Sequence, residues 1–91
     1  MLTCILKGSE IRDLLTLHRT LAQSLAFPQW YGNNLDALYD CLTDLHEPAK
    51  ITVEEPEMLR ERLGGYADRL RRVLLDSADE NGCLEIDWPE D

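Results

Sequence analysis

Asp36, Asp40 and Asp44 stand at i, i+4 and i+8 in the run LDALYDCLTDL, a spacing that puts three carboxylates on one face of a helix. Such a row could take a cation, meet the basic groups of another macromolecule, or simply be solvated. One helix face supplies a line of oxygens and no coordination cage, so no metal site is expected there. Local stability does not account for the row. Each like-charge i, i+4 pair costs roughly 0.2–0.5 kcal/mol in an isolated helix, no Lys or Arg lies between Trp30 and Ala49, and the helix dipole favours Asp36 but opposes Asp44. A merely solvated face usually mixes signs, as Arg69, Arg72, Asp76 and Glu80 do further along. Just before the row, Trp30 and Tyr31 precede Gly32, and aromatics beside carboxylates are the composition of a protein-binding hot spot. The residues leave two readings, a solvated face and an interaction surface for a basic site, and the unrelieved charge favours the second.

The rest of the chain offers little other chemistry. Neither His18 nor His46 has a Ser or Cys pattern of nucleophilic catalysis near it. His18 falls on an apolar helical stripe, as a hydrogen-bonded, half-buried imidazole would. His46 ends a helix, where a cationic ring meets the dipole favourably. Gly64-Gly65 lacks the Lys and Ser or Thr of a phosphate loop. Cys4, Cys41 and Cys83 are odd in number and form no CxxC pair, which reads as buried, reduced thiols in a cytosolic protein. The expectation is a protein with no enzymatic activity, cofactor or metal.

Composition bounds the partner. The 91 residues are 44% hydrophobic and 30% charged, with a net charge of -9, which describes a soluble, single domain over 1–91 with a small core. The charge disfavours nucleic acid and anionic membrane as direct ligands, because phosphate binding needs clustered Lys and Arg. The acidity is also concentrated, since residues 30–49 and 73–91 contain no Lys or Arg at all, and such a surface favours a basic partner. MLTCILKGSE has no basic lead and reaches Lys7 before an apolar region gains signal length. The longest uncharged run, Thr20 to Leu35, is too polar to span a bilayer. A cytoplasmic location and a monomeric free state are expected.

The elements that must position the acidic face follow from pattern. LTCILK reads as a strand closed by Lys7-Gly8. Ile11, Leu14, Leu15, His18, Leu21 and Leu25 follow a helical period, with Asp13 as N-cap and Pro28 as the stop. Asn34 is suited to cap the helix from Leu35 to Leu45, whose inner face is Leu35, Leu38, Cys41, Leu42 and Leu45. AKITVE alternates Ala49, Ile51 and Val53 with polar residues, as a strand with one covered face does. A short helix from Pro56 to Leu63 ends at Gly64-Gly65, and a longer one from Tyr66 to Asn81 uses Ala67, Leu70, Val73, Leu74 and Ala78 as its core stripe. CLEIDW alternates as a last strand, and the tail PED is expected to fray. The order β-α-α-β-α-α-β predicts a small two-layer α/β domain, a three-stranded parallel sheet with about four helices mainly on one face.

At PQWYGNNLDALYDCLTD the chain resembles the barstar family of small intracellular ribonuclease inhibitors. The likeness extends through LKGSEIRDLLTLHRTLAQSLAFP and NGCLEI and spans nearly the whole chain. It implies a barstar-like three-stranded parallel sheet flanked by helices, with no enzymatic activity and no cofactor. It also implies that the second helix and its preceding loop enter the basic active-site cleft of a secreted microbial ribonuclease. Carried over, the resemblance places the aromatic loop at Trp30 and Tyr31 and the backbone-contact turn at Gly32 and Asn34. Leu35, Asp36, Tyr39, Asp40 and Thr43 fall on the contact face. Asp40 matches the dominant binding residue, whose carboxylate takes the place of a substrate phosphate. Trp30 stands for the usual Tyr, Tyr39 for a Trp and Leu45 for another Trp, while the acidic contact late in the last helix falls on Ser77 and a following Glu on Asn81. The implied partner is a basic extracellular-type microbial ribonuclease or nuclease toxin. The other class left open is a non-inhibitory acidic interaction module, or a nucleic-acid mimic, that docks on another basic protein.

Overall fold

The computed structural model describes residues 1–89; of the tail expected to fray, Glu90 and Asp91 lie outside the described residues. Its elements run β1 (Leu2–Lys7), α1 (Leu14–Ser24), α2 (Leu35–Thr43), β2 (Ala49–Glu54), α3 (Pro56–Leu63), α4 (Gly65–Glu80) and β3 (Leu84–Asp87). The strands form one parallel sheet in the order β1-β2-β3, with Cys4 opposite Ile51 and Ile51 opposite Ile86. This is the α/β architecture expected from the pattern. Cys4 and Leu6, Ala49, Ile51 and Val53, and Leu84 are buried, while Ile5, Glu54, Glu85 and Asp87 are exposed. The alternation means that helices cover a single face of the sheet. Among the described residues, no helix is long and apolar enough to cross a membrane.

The first helix departs from the reading of its stripe. Its core residues are Leu17, His18 and Leu21, whereas Leu14 and Leu15 are exposed. Ile11 is buried but precedes the helix, so a period counted from it starts in the wrong phase. Asp13 is the N-cap as expected, accepting from the Thr16 amide at 2.8 Å. The stop is not Pro28. Ala26 turns left-handed at φ 54°, and the Phe27 amide donates to the Ala22 carbonyl at 2.9 Å, the closing bond of a Schellman turn made without glycine.

In α4 the buried positions are Ala67, Leu70, Leu74 and Ser77, with Val73 and Ala78 at the margin. Gly64 serves both as the end of α3 and the start of α4, so Gly65 is helical instead of part of the break. Gly8 is the one glycine the packing cannot replace. A Cβ there would lie 2.2 Å from the Glu55 carbonyl oxygen and 2.9 Å from the Leu59 amide, because the turn after β1 runs against the start of α3.

Candidate functional site

The segment before α2 and the helix itself are held from three sides. Asn34 caps α2, its side-chain carbonyl accepting from the Ala37 amide at 2.8 Å while its amide group donates to the Gly32 carbonyl at 3.2 Å. Asn33 carries the sharp reversal with φ 55°. A Cβ on Gly32 would approach the Asn34 side-chain amide to 3.0 Å, so the turn and the cap constrain one another. Behind them, Tyr31 is only 8% exposed. Its hydroxyl bonds Nδ1 of His18, and the Tyr66 hydroxyl bonds Nε2 at 2.8 Å. A neutral imidazole donates through one nitrogen and accepts through the other, which satisfies both ends of this chain. Burial lowers the His18 pKa and raises those of Tyr31 and Tyr66, because the charged forms would be desolvated. His18 is therefore fully buried, not half-buried, and it ties the loop of α2 to α1 and α4.

The far end of α2 is held differently. The helix stops at Thr43, two residues short of the expected Leu45. Asn81 accounts for this: its side-chain amide donates to the carbonyls of Leu42 at 2.9 Å and Leu45 at 3.0 Å, and its oxygen accepts from the Cys83 amide at 3.0 Å. Carbonyls that further helical turns would have used are taken by a residue from the end of α4.

Between these anchors α2 buries Leu38, Cys41 and Leu42 and turns Asp36, Asp40 and Asp44 to solvent. Among the described residues no ion pair involves any of the three. Leu35, Tyr39 and Thr43 are half-buried. The Thr43 hydroxyl donates to the Tyr39 carbonyl at 2.8 Å and keeps its acceptor lone pairs free. Trp30 is 68% exposed beside this face. No group of three or more His, Cys, Asp or Glu side chains among the described residues could hold a metal ion.

Two residues placed on the contact surface by resemblance are not surface residues. Tyr31 spends its hydroxyl on His18 and packs its ring 4.9 Å from Phe27, so Trp30 is the aromatic that the loop displays. Ser77 has no accessible surface, because α4 turns that position into the core with Leu70 and Leu74. The neighbouring Asp76 is exposed, and it follows Arg72 and Val73 along the helix. Counting back from the Asn81-Gly82-Cys83 turn fixes a residue's place in the sequence but not its helical phase, and one residue is a 100° rotation. Periodicity anchored on Leu70 and Leu74 would have assigned the surface to Asp76. The thiols divide as well. Cys4 and Cys41 are buried, with Cys4 pushed up to about 11 by desolvation and Cys41 also raised, whereas Cys83 is exposed, contrary to the expectation of three buried thiols.

Comparison with known proteins fits this arrangement. The sequence profile of the family described as Barstar (barnase inhibitor) matches residues 1–87. A Bacillus subtilis (strain 168) protein named "Putative ribonuclease inhibitor YrdF" is 36% identical over 77 residues, covering 84% of this chain and 85% of its own.

Proposed function

The chain belongs to the barstar family, and from that premise we propose that it is a cytoplasmic ribonuclease inhibitor of the immunity type. The partner is a basic microbial ribonuclease made for secretion. The observation that carries the reading is the outer face of α2, where Asp36, Asp40 and Asp44 have no cationic neighbour within ion-pair distance among the described residues. An unrelieved row of carboxylates on a helix anchored at both ends is a preorganised ligand for a cleft that binds RNA phosphates.

In this reading Asp40, near the middle of α2, occupies the place of a substrate phosphate, and Asp36 meets a second basic group. Trp30 covers the mouth of the cleft, and Gly32 and Asn34 present backbone. Leu35, Tyr39 and Thr43 pack at the seam. Asp76 replaces Ser77 as the carboxylate supplied by α4. Tyr31 acts from behind, by fixing the loop to His18.

The test is inhibition of RNA hydrolysis by two enzymes. One is barnase, the enzyme in the family's description; the other is the secreted ribonuclease retained from culture medium of the source organism by the immobilised protein. Stoichiometric inhibition of either, lost with Asp40→Ala, supports the reading. Full nuclease activity of both in a large molar excess of this protein would overturn it.

A further inference from the structure

Next to Asp36 the charge changes sign. A cleft of about 440 Å3 between α2 and α4 is lined by Leu35, Asp36, Asp68, Arg69, Arg72 and Val73. Leu35 and Val73 form its apolar floor, and the two guanidinium groups stand on its α4 side. Arg69 is oriented by the ring of Tyr66, with Cζ 5.4 Å from the ring centroid, a contact that leaves its donors in the ring plane's surroundings unspent on carboxylates. Arg72 makes only a loose pair with Asp76 at 3.9 Å, with its side chain 82% exposed. Exposed pairs of this kind contribute little.

We infer that Arg69 and Arg72 are specificity residues that receive a carboxylate of the nuclease at the edge of its basic cleft. This rests on the proposed function, because Leu35 and Asp36 belong both to this cleft and to the face proposed to enter the enzyme. A nuclease that surrounded its active site with Lys and Arg alone would set cations against Arg69 and Arg72. Like charges brought together in a closing interface cost affinity. The enzyme that fits must follow its basic cleft with an acidic side chain, carried by an aliphatic stem or neighbour that covers Leu35 and Val73. The planar forks of Arg suit a carboxylate in two-point contact. The inhibitor face is thereby read as a pattern of signs, acidic along α2 and basic along the adjoining turn of α4, which accepts one nuclease and rejects a uniformly basic relative.

The probe is the secreted ribonuclease of the source organism, isolated on the immobilised full-length protein and identified by mass spectrometry, with barnase as reference. Dissociation constants and association rates are measured for the wild type, Asp40→Ala, Arg69→Gln/Arg72→Gln and Arg72→Glu. The inference predicts that Arg69→Gln/Arg72→Gln weakens binding of the isolated enzyme about tenfold and Arg72→Glu more, with unchanged thermal unfolding. Changing the facing carboxylate of the enzyme to Lys should restore the affinity of Arg72→Glu. Unchanged or tighter binding by the Arg variants, with Asp40→Ala still strongly impaired, overturns this inference and leaves the inhibitor reading in place. A loss of thermal stability without a loss of affinity also overturns it, since the arginines would then serve only to offset Asp36. If Asp40→Ala binds as the wild type does, or no ribonuclease is retained, the inhibitor reading falls and takes this one with it.

Discussion

Replacing Asn81 with Ala should loosen the C-terminal end of α2 without touching its acidic face. The side chain makes three hydrogen bonds, to the carbonyls of Leu42 and Leu45 and from the amide of Cys83. Each such bond contributes about 0.5–1.5 kcal/mol net. Asn81 is half-buried, so water recovers part of the loss, and about 2–3 kcal/mol is expected. For a domain of this size 1 kcal/mol moves Tm by roughly 4–8 °C, which puts the shift at about 10–20 °C. Asn81→Asp should be worse at neutral pH. It keeps the acceptor for Cys83 but cannot donate to Leu42 and Leu45, and it sets a negative charge at a helix C-terminus, a further cost of about 0.3–1 kcal/mol. Urea unfolding followed by far-UV circular dichroism measures both, with the slope against denaturant unchanged if the native state is intact. A loss below about 0.5 kcal/mol in Asn81→Ala, or Asn81→Asp more stable than Asn81→Ala, would refute the view that this residue holds the end of α2.

Three further outcomes are expected. Burial lowers the His18 pKa from 6.5, so as pH falls below 6.5 the unfolded chain takes the proton first and stability declines until the folded pKa is passed. Denaturation across pH should show this decline in the wild type and not in His18→Gln, above the range in which Glu55 and Asp13, lowered from 4.5 and 3.8, respond. With its net charge of -9, the protein should associate with a basic nuclease roughly tenfold more slowly in stopped-flow as salt shortens screening from about 10 Å to a few Å, while dissociation changes little. Iodoacetamide under native conditions should label Cys83 first and leave Cys4 unmodified, as Cys4 is buried and its thiol is pushed up to about 11; equal labelling in peptide maps would contradict the packing.

The strands and the acidic helix were legible because each has a simple period. AKITVE alternates without interruption, and its observed bounds and burial match that pattern. Asn34 was legible as a cap because Asn accepts from the helix start at little cost. What escaped depends on long-range partners. Tyr31 is hidden by a histidine 13 residues away and Ser77 by the packing of α4 on the core, and neither has a local signature. The end of α2 depends on Asn81, which is 39 residues from Leu42. The first helix was misphased for a different reason, since Ile11 is apolar and buried but not helical. The cleft of Arg69 and Arg72 also needs the fold, because only packing sets α4 beside Leu35 and Asp36.

The central claim is that one carboxylate of the α2 row, Asp40, is desolvated among basic groups of a ribonuclease while its neighbour Asp44 is not. Isothermal titration of the nuclease with the wild type, Asp40→Ala and Asp44→Ala tests it directly. The account predicts that Asp40→Ala loses about 2–5 kcal/mol of binding, a range drawn in part from interfaces of this family, while Asp44→Ala loses no more than about 1 kcal/mol, as an exposed rim charge does. Equal and small losses for both substitutions would contradict it.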